Sequence, residues 1–222
     1  MIKNFMIILL LISCTNLIDS TLVYDSIRLD GGTWIQINNN QENIDLETLG
    51  ILEGNFTLEF WISGGINNNN NSPALLMISN DNEEIELGIF RDINIPNYLR
   101  IIWAGQNIDV DFFDYEIGWN NSDTFYYLTF VFNALENELE IFLNGEWITN
   151  IGSLPSLNIN ENDLFLGAVG YTNDQKIIID NPTNNWKGYF DEFRIWDIPL
   201  NDYYYYDILV NSYTSESYEE GN

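Results

Sequence analysis

Asp191 and Glu192 stand side by side in the run Trp186-Lys187-Gly188-Tyr189-Phe190-Asp191-Glu192-Phe193-Arg194-Ile195-Trp196. Two adjacent carboxylates in a largely apolar stretch are either a corner that holds a cation or a solvated acidic turn. A hard cation such as calcium takes about six to eight oxygens, so such a corner needs further donors. Asp109, Asp111 and Asp114 form a second acidic group of the same kind. Glu84-Ile85-Glu86 offers different chemistry, because alternate residues of a strand share a face and place these carboxylates about 7 Å apart. Glycosidic cleavage with retention asks for a closer pair, about 5 Å apart, with one carboxyl kept protonated. The chain contains no histidine. That excludes Ser-His-Asp and Cys-His nucleophiles and zinc sites built on imidazole. The single cysteine, Cys14, excludes an intrachain disulfide.

These groups must be positioned by strands. In the run ending at Trp196, alternation sends Phe193 and Ile195 one way and Arg194 and Trp196 the other. Phe190 then falls out of phase with Phe193, and a bulge at Asp191-Glu192 would return both to the core. Phe56, Leu58, Phe60 and Ile62 alternate with Thr57, Glu59 and Trp61, the clearest strand in the chain. Residues 74–79, 84–90, 99–103 and 108–112 read as further strands, the last two joined near Gly105. Residues 125–132 form an almost wholly apolar central strand. Leu139, Ile141 and Leu143 lead into Asn144-Gly145, a strong hairpin signal, and Glu146-Trp147-Ile148 begins the return. Trp34-Ile35-Gln36-Ile37 is expected to continue the edge opened by residues 26–32. Asn201 could cap a short helix running to Leu209. No second domain and no internal repeat is visible.

Four segments together resemble the LamG-like jellyroll domains of the concanavalin A-like lectin/glucanase superfamily. They are Phe56 to Ile62, the pair Tyr127–Phe132 and Leu139–Gly145, Leu164-Phe165-Leu166-Gly167, and Gly188-x-Phe190-Asp191-Glu192-Phe193-Arg194-Ile195-Trp196-x-x-x-Leu200. The resemblance runs from about Ser26 to Ile208. It implies an all-β fold: a two-sheet antiparallel β-sandwich with a short C-terminal helix. It also implies a structural calcium bridging the opening and closing strands, with Asp191 as donor and Asp30 as companion. The superfamily's hydrolases carry two glutamates on one strand with an aspartate between them. Glu84-Ile85-Glu86 lacks that spacing and that aspartate, so a non-enzymatic module is expected. The implied ligand is carbohydrate or an extracellular protein. Trp61, Trp103 and Trp119 are candidate platforms for a sugar face, with core filling as the alternative for each.

With 7 Lys and Arg against 34 Asp and Glu, the formal charge is −27. Such a surface repels nucleic acid and anionic lipid headgroups. It suits neutral sugars, basic partners or divalent cations, or solubility in salty surroundings. Lys3 and the apolar run Phe5 to Ile12 read as a secretory signal, too short to span a bilayer comfortably. Leu11-Ile12-Ser13-Cys14 resembles a bacterial lipobox with Cys14 acylated, giving an envelope lipoprotein. Cleavage near Ser20 would instead give a secreted protein. The expected organisation is a signal at 1–13, a tether at 14–25, the domain at 26–210 and an acidic tail at 211–222.

Overall fold

A computed structural model of the chain describes residues 26–31, 34–37, 54–64, 72–79, 84–92, 98–112, 124–158, 164–169, 185–196 and 198–200. All regular structure among them is β. Twelve strands follow in chain order: β1 (Ile27–Asp30), β2 (Ile35–Ile37), β3 (Phe56–Gly64), β4 (Ala74–Ser79), β5 (Ile85–Arg91), β6 (Tyr98–Trp103), β7 (Gln106–Asp111), β8 (Phe125–Asn133), β9 (Glu138–Leu143), β10 (Glu146–Ile151), β11 (Leu164–Leu166) and β12 (Lys187–Trp196). They form two six-stranded sheets, ordered β1-β12-β3-β8-β9-β10 and β2-β11-β4-β5-β6-β7. Every pairing is antiparallel. The antiparallel two-sheet sandwich expected from the sequence is therefore what the chain adopts. Residues 1–25 and 201–222, with the signal, Cys14, the proposed C-terminal helix and the tail, lie outside the described residues.

Alternation explains the core. Phe56, Leu58, Phe60 and Ile62 of β3 are all buried and meet Leu87, Ile89, Leu99 and Ile101 of the second sheet in one apolar cluster. Phe56 stacks on Trp103 across the sheets with ring centroids 5.9 Å apart. Each large side chain buried in this way contributes roughly 2–3 kcal/mol of transfer free energy. Between the sheets at this end is an apolar void of ≈ 10 Å³ lined by residues such as Leu58, Ile101 and Phe130, too small for a ligand. The Asn144-Gly145 turn between β9 and β10 has positive φ at both residues, 53° and 80°, as a two-residue hairpin requires.

One expectation is corrected. Trp34 to Ile37 does not continue the edge of β1; β2 pairs with β11 in the opposite sheet. A turn at Gly31, φ 87°, lies between the two strands, and the chain crosses the sandwich there. Period two is the same on either side of such a crossing, so alternation carries no mark of it.

The closing strand behaves as its phase requires. In β12, Asp191 pairs with Trp61 and Arg194 with Glu59, so Glu192 and Phe193 together oppose Phe60. Glu192 takes a positive φ of 48°. Phe190 and Phe193 are consequently both buried, with ring centroids 5.9 and 6.0 Å from that of Phe60. Gly188 is demanded by close approach: a Cβ there would lie 1.9 Å from the Ser63 carbonyl oxygen. That same oxygen accepts a hydrogen bond from Trp186 Nε1 at 3.0 Å. Gly188→Ala must push β12 off β3, and urea denaturation should show a loss of about 3 kcal/mol, the upper range for overpacking. A loss below about 1 kcal/mol would mean that the two strands separate easily.

Candidate functional site

The outer face of the first sheet carries most of the candidate chemistry. Directly paired residues of neighbouring strands share a face, so the register of β1, β12, β3 and β8 can be followed in rows. One row is Arg28, Tyr189, Ser63, Phe125. The next is Asp191, Trp61, Tyr127, and the third is Arg194, Glu59, Thr129. The last row, Trp196, Thr57 and Val131, is partly covered by the chain's own continuation. Thr57 Oγ1 donates to the Ile198 carbonyl and accepts from the Leu200 amide, both at 2.8 Å. Leu200 packs there with Val131, Phe142 and Trp196.

The third row is a buried ionic network. Glu59 is 0 % exposed. Arg194 Nη1 donates to Glu59 Oε1 at 3.0 Å, and Nη2 to Glu192 Oε2 at 2.6 Å. Tyr127 Oη donates to Glu59 Oε2 at 2.5 Å. A buried carboxylate costs several kcal/mol in desolvation unless it is paired and hydrogen-bonded, and here both oxygens are occupied. Burial pulls the Arg194 guanidinium down, but the charges and hydrogen bond of Glu192 and Glu59 outweigh it and hold it above its ordinary value. Burial, followed by the Glu59 charge and hydrogen bond, pushes the Tyr127 hydroxyl far above its usual range. The network therefore fixes the Tyr127 ring, and Trp61 packs on that ring with centroids 5.0 Å apart.

Above this network the face is more open. Trp61, Tyr189 and Phe125 are half-buried, and Arg28 is exposed. The rings of Phe125 and Tyr189 lie 6.1 Å apart across the intervening Ser63. Ser63 is fully buried, and its hydroxyl has no hydrogen-bond partner among the described residues. Aromatic faces with polar groups between them are what a sugar ring requires, since its C–H faces pack on rings and its hydroxyls need partners.

Of the two candidate tryptophans among the described residues, Trp61 reaches this face. Trp103 is corrected: it is 1 % exposed, packed on Phe56 and Phe132, with Nε1 donating to the Pro155 carbonyl at 2.7 Å. A buried ring bonded in this way offers no platform. Trp119 lies outside the described residues. Trp147, which alternation marked only as part of the return strand, is 56 % exposed on the edge strand β10. Only the sheet order, which places β10 at an edge, distinguishes it from the buried tryptophans.

The acidic candidates do not converge. β1 and β12 pair as the calcium expectation required, but Asp30 stands opposite Lys187 and Asp191 is four residues further along β12. That offset is about 13 Å, too far for one ion with oxygens at about 2.4 Å. Asp191 Oδ1 instead accepts from the Glu192 amide at 2.8 Å, bracing the bulge. Asp109 and Asp111 share a face of β7, but one accepts from Arg100 and the other from Tyr98; Asp114 lies outside the described residues. No group of three acidic side chains able to hold a metal occurs among the described residues. Glu86 is half-buried in β5, and Glu84 is exposed just before it.

The state of Tyr127 can be tested by pH. Folding keeps this hydroxyl neutral, whereas the unfolded chain releases its proton near pH 10. Its raised folded value thus contributes stability that is complete below about pH 10 and lost as pH rises beyond it. Denaturation of the native protein and of Tyr127→Phe from pH 8 to 11 should show the native protein losing stability more steeply above pH 10. Parallel curves would mean that Tyr127 ionises as freely folded as unfolded.

A family model for the concanavalin A-like lectin/glucanases superfamily, Laminin_G_3, matches residues 30–203. Comparison with curated protein sequences gave no match. Solved structures share the fold at low identity. The CBM40 domain of Ruminococcus gnavus IT-sialidase, bound to alpha2,3 sialyllactose, is 14% identical with a TM-score of 0.57, over 83% of this chain and 96% of that one. The heptameric SAP-like pentraxin of Limulus polyphemus is 12% identical with a TM-score of 0.54, over 72% and 70%. The binding domain of botulinum neurotoxin DC, in complex with rat synaptotagmin II, is 17% identical with a TM-score of 0.54, over 80% of this chain but 40% of that one.

Proposed function

Since this chain belongs to the concanavalin A-like lectin/glucanases superfamily, we propose that it is a non-catalytic module that binds carbohydrate on the outer face of its first sheet. The observation that carries this is the half-buried Trp61, held on Tyr127 and flanked by Tyr189 and Phe125 on a face whose other end is covered by residues 198–200. The carbohydrate-bound state of the CBM40 neighbour supports the ligand class. The non-catalytic reading draws on the carboxylates of this face. Glu59 is buried and bonded on both oxygens, which closes it to a substrate.

In this reading the domain works outside the cell, tethered by a lipid on Cys14 or freely secreted. Detergent-phase partitioning of the full chain against Cys14→Ala checks the anchor: an acylated protein moves to the aqueous phase on substitution, and a secreted one is aqueous in both forms. Calcium is left out of the binding mechanism, because Asp30 and Asp191 are too far apart to share an ion.

A protein ligand is the second reading, favoured by the exposed Trp147 on the open edge of β10. A glycan array probed with the full chain, with calcium and again with chelator, separates the two. Binding to a defined set of glycans is expected, unchanged by chelation. Trp61→Ala should weaken it about thirtyfold, equivalent to roughly 2 kcal/mol, and Trp147→Ala should leave it intact. Glycan binding that survives Trp61→Ala would place the ligand elsewhere, and no binding to any glycan would leave the protein-ligand reading.

A further inference from the structure

Resting on the carbohydrate reading above, we propose that the ligand is an acidic saccharide, whose carboxylate is taken by Arg28 and Lys187 while its ring lies against Tyr189. Cations are scarce in this chain, 7 of 222 residues, and five of them are described: Arg28, Arg91, Arg100, Lys187 and Arg194. Three are occupied within the fold. Arg100 is paired with Asp92 and Asp109, Arg194 with Glu59 and Glu192, and Arg91 is buried. Arg28 and Lys187 are both exposed and form no ion pair among the described residues.

The register brings these two cations to one place. Arg28 stands directly opposite Tyr189, and Lys187 precedes Tyr189 by two residues on the same face of β12. Both border the row in which the rings of Tyr189 and Phe125 close over the buried, unpartnered hydroxyl of Ser63. An exposed cation on an edge strand also deters edge-to-edge pairing, and that would account for Arg28 on β1. It does not account for Lys187, since β12 lies inside the sheet between β1 and β3. In a chain of formal charge −27, two cations that form no ion pair among the described residues beside an aromatic face complement an anion, although the exposed Asp30 stands opposite Lys187 on the same face. Guanidinium and ammonium donors bind a carboxylate through charge-assisted hydrogen bonds, and the ring packs on Tyr189.

The test uses the full chain and two matched pairs of probes. One pair is an oligogalacturonate and its carboxyl-reduced, neutral form; the other is sialyllactose and lactose. Calorimetry should show at least one acidic probe bound about tenfold or more tighter than its neutral partner. Arg28→Gln and Lys187→Gln should each remove about tenfold to a hundredfold of the affinity for the acid, the range of a lost charge-assisted hydrogen bond. Both should leave neutral binding and melting temperature unchanged. Equal affinity for acid and neutral forms, or an acid preference that survives both substitutions, overturns the acidic ligand but leaves carbohydrate binding standing. Absence of binding to both acidic probes overturns the proposal. If neutral glycans are silent on the array as well, the carbohydrate reading falls with it.

Discussion

The structure depends on one extra residue in β12. Between Asp191 and Arg194 two residues oppose Phe60 alone, and that insertion changes the phase of the strand. Without it, Phe190 and Phe193 could not both face inward, and the aromatic stack on Phe60 would lose a ring. The same insertion acts on the other face. It puts Asp191 beside Trp61 and Arg194 beside Glu59, both pointing outward, although three positions separate them. A regular strand would have sent one of the two into the core. The bulge therefore completes the core and assembles the outer network at once. Its strain, a positive φ at Glu192, is braced by the Asp191 carboxylate on the Glu192 amide.

The network above the bulge is expensive as a source of stability. A carboxylate with no exposure loses its hydration, and a well-packed apolar trio of similar volume would often be as stable or more so. What such a trio would lack is direction. Glu59 holds Tyr127 by its hydroxyl and Arg194 by its fork, and Arg194 holds Glu192. Three strands, β8, β3 and β12, are thereby locked in register under the ring on which Trp61 rests. A surface aromatic that must meet a ligand in one orientation gains from a rigid floor, because less rotamer freedom remains to be lost on binding.

Much of the fold was legible because β-structure writes its faces into the sequence. The alternation in Phe56 to Ile62, the Asn144-Gly145 turn and the phase error between Phe190 and Phe193 each have one economical solution, and the molecule uses it. The site was less legible, for a physical reason. Alternation identifies two faces but not what lies over each. On β3 both faces are largely buried: Thr57, Glu59 and Ser63 are as inaccessible as Phe60. Trp61 and Trp103 each sit in an alternating strand, yet one faces outward and the other closes the core against the 152–158 segment. Asp30 and Asp191 were matched by motif, whereas their separation is a matter of register, which no local pattern specifies. Trp147 and Arg28 stand out only once β10 and β1 are known to be the sheet edges.

Charge has to be weighed at two distances. The excess of carboxylates generates a repulsive field for any anion, but beyond roughly 8 Å it is largely screened at physiological salt. Inside that distance the direct contacts decide. Arg194 is consumed by Glu59 and Glu192, so it contributes rigidity rather than attraction. Arg28 and Lys187 remain available at the solvent side of the same strand pair. The mean charge therefore describes how the molecule is approached, while the register of β1 against β12 governs what is held on arrival. If the proposed site is used, its ligand would carry a negative charge close to an aromatic ring face, since that combination meets the local cations and the aromatic row together.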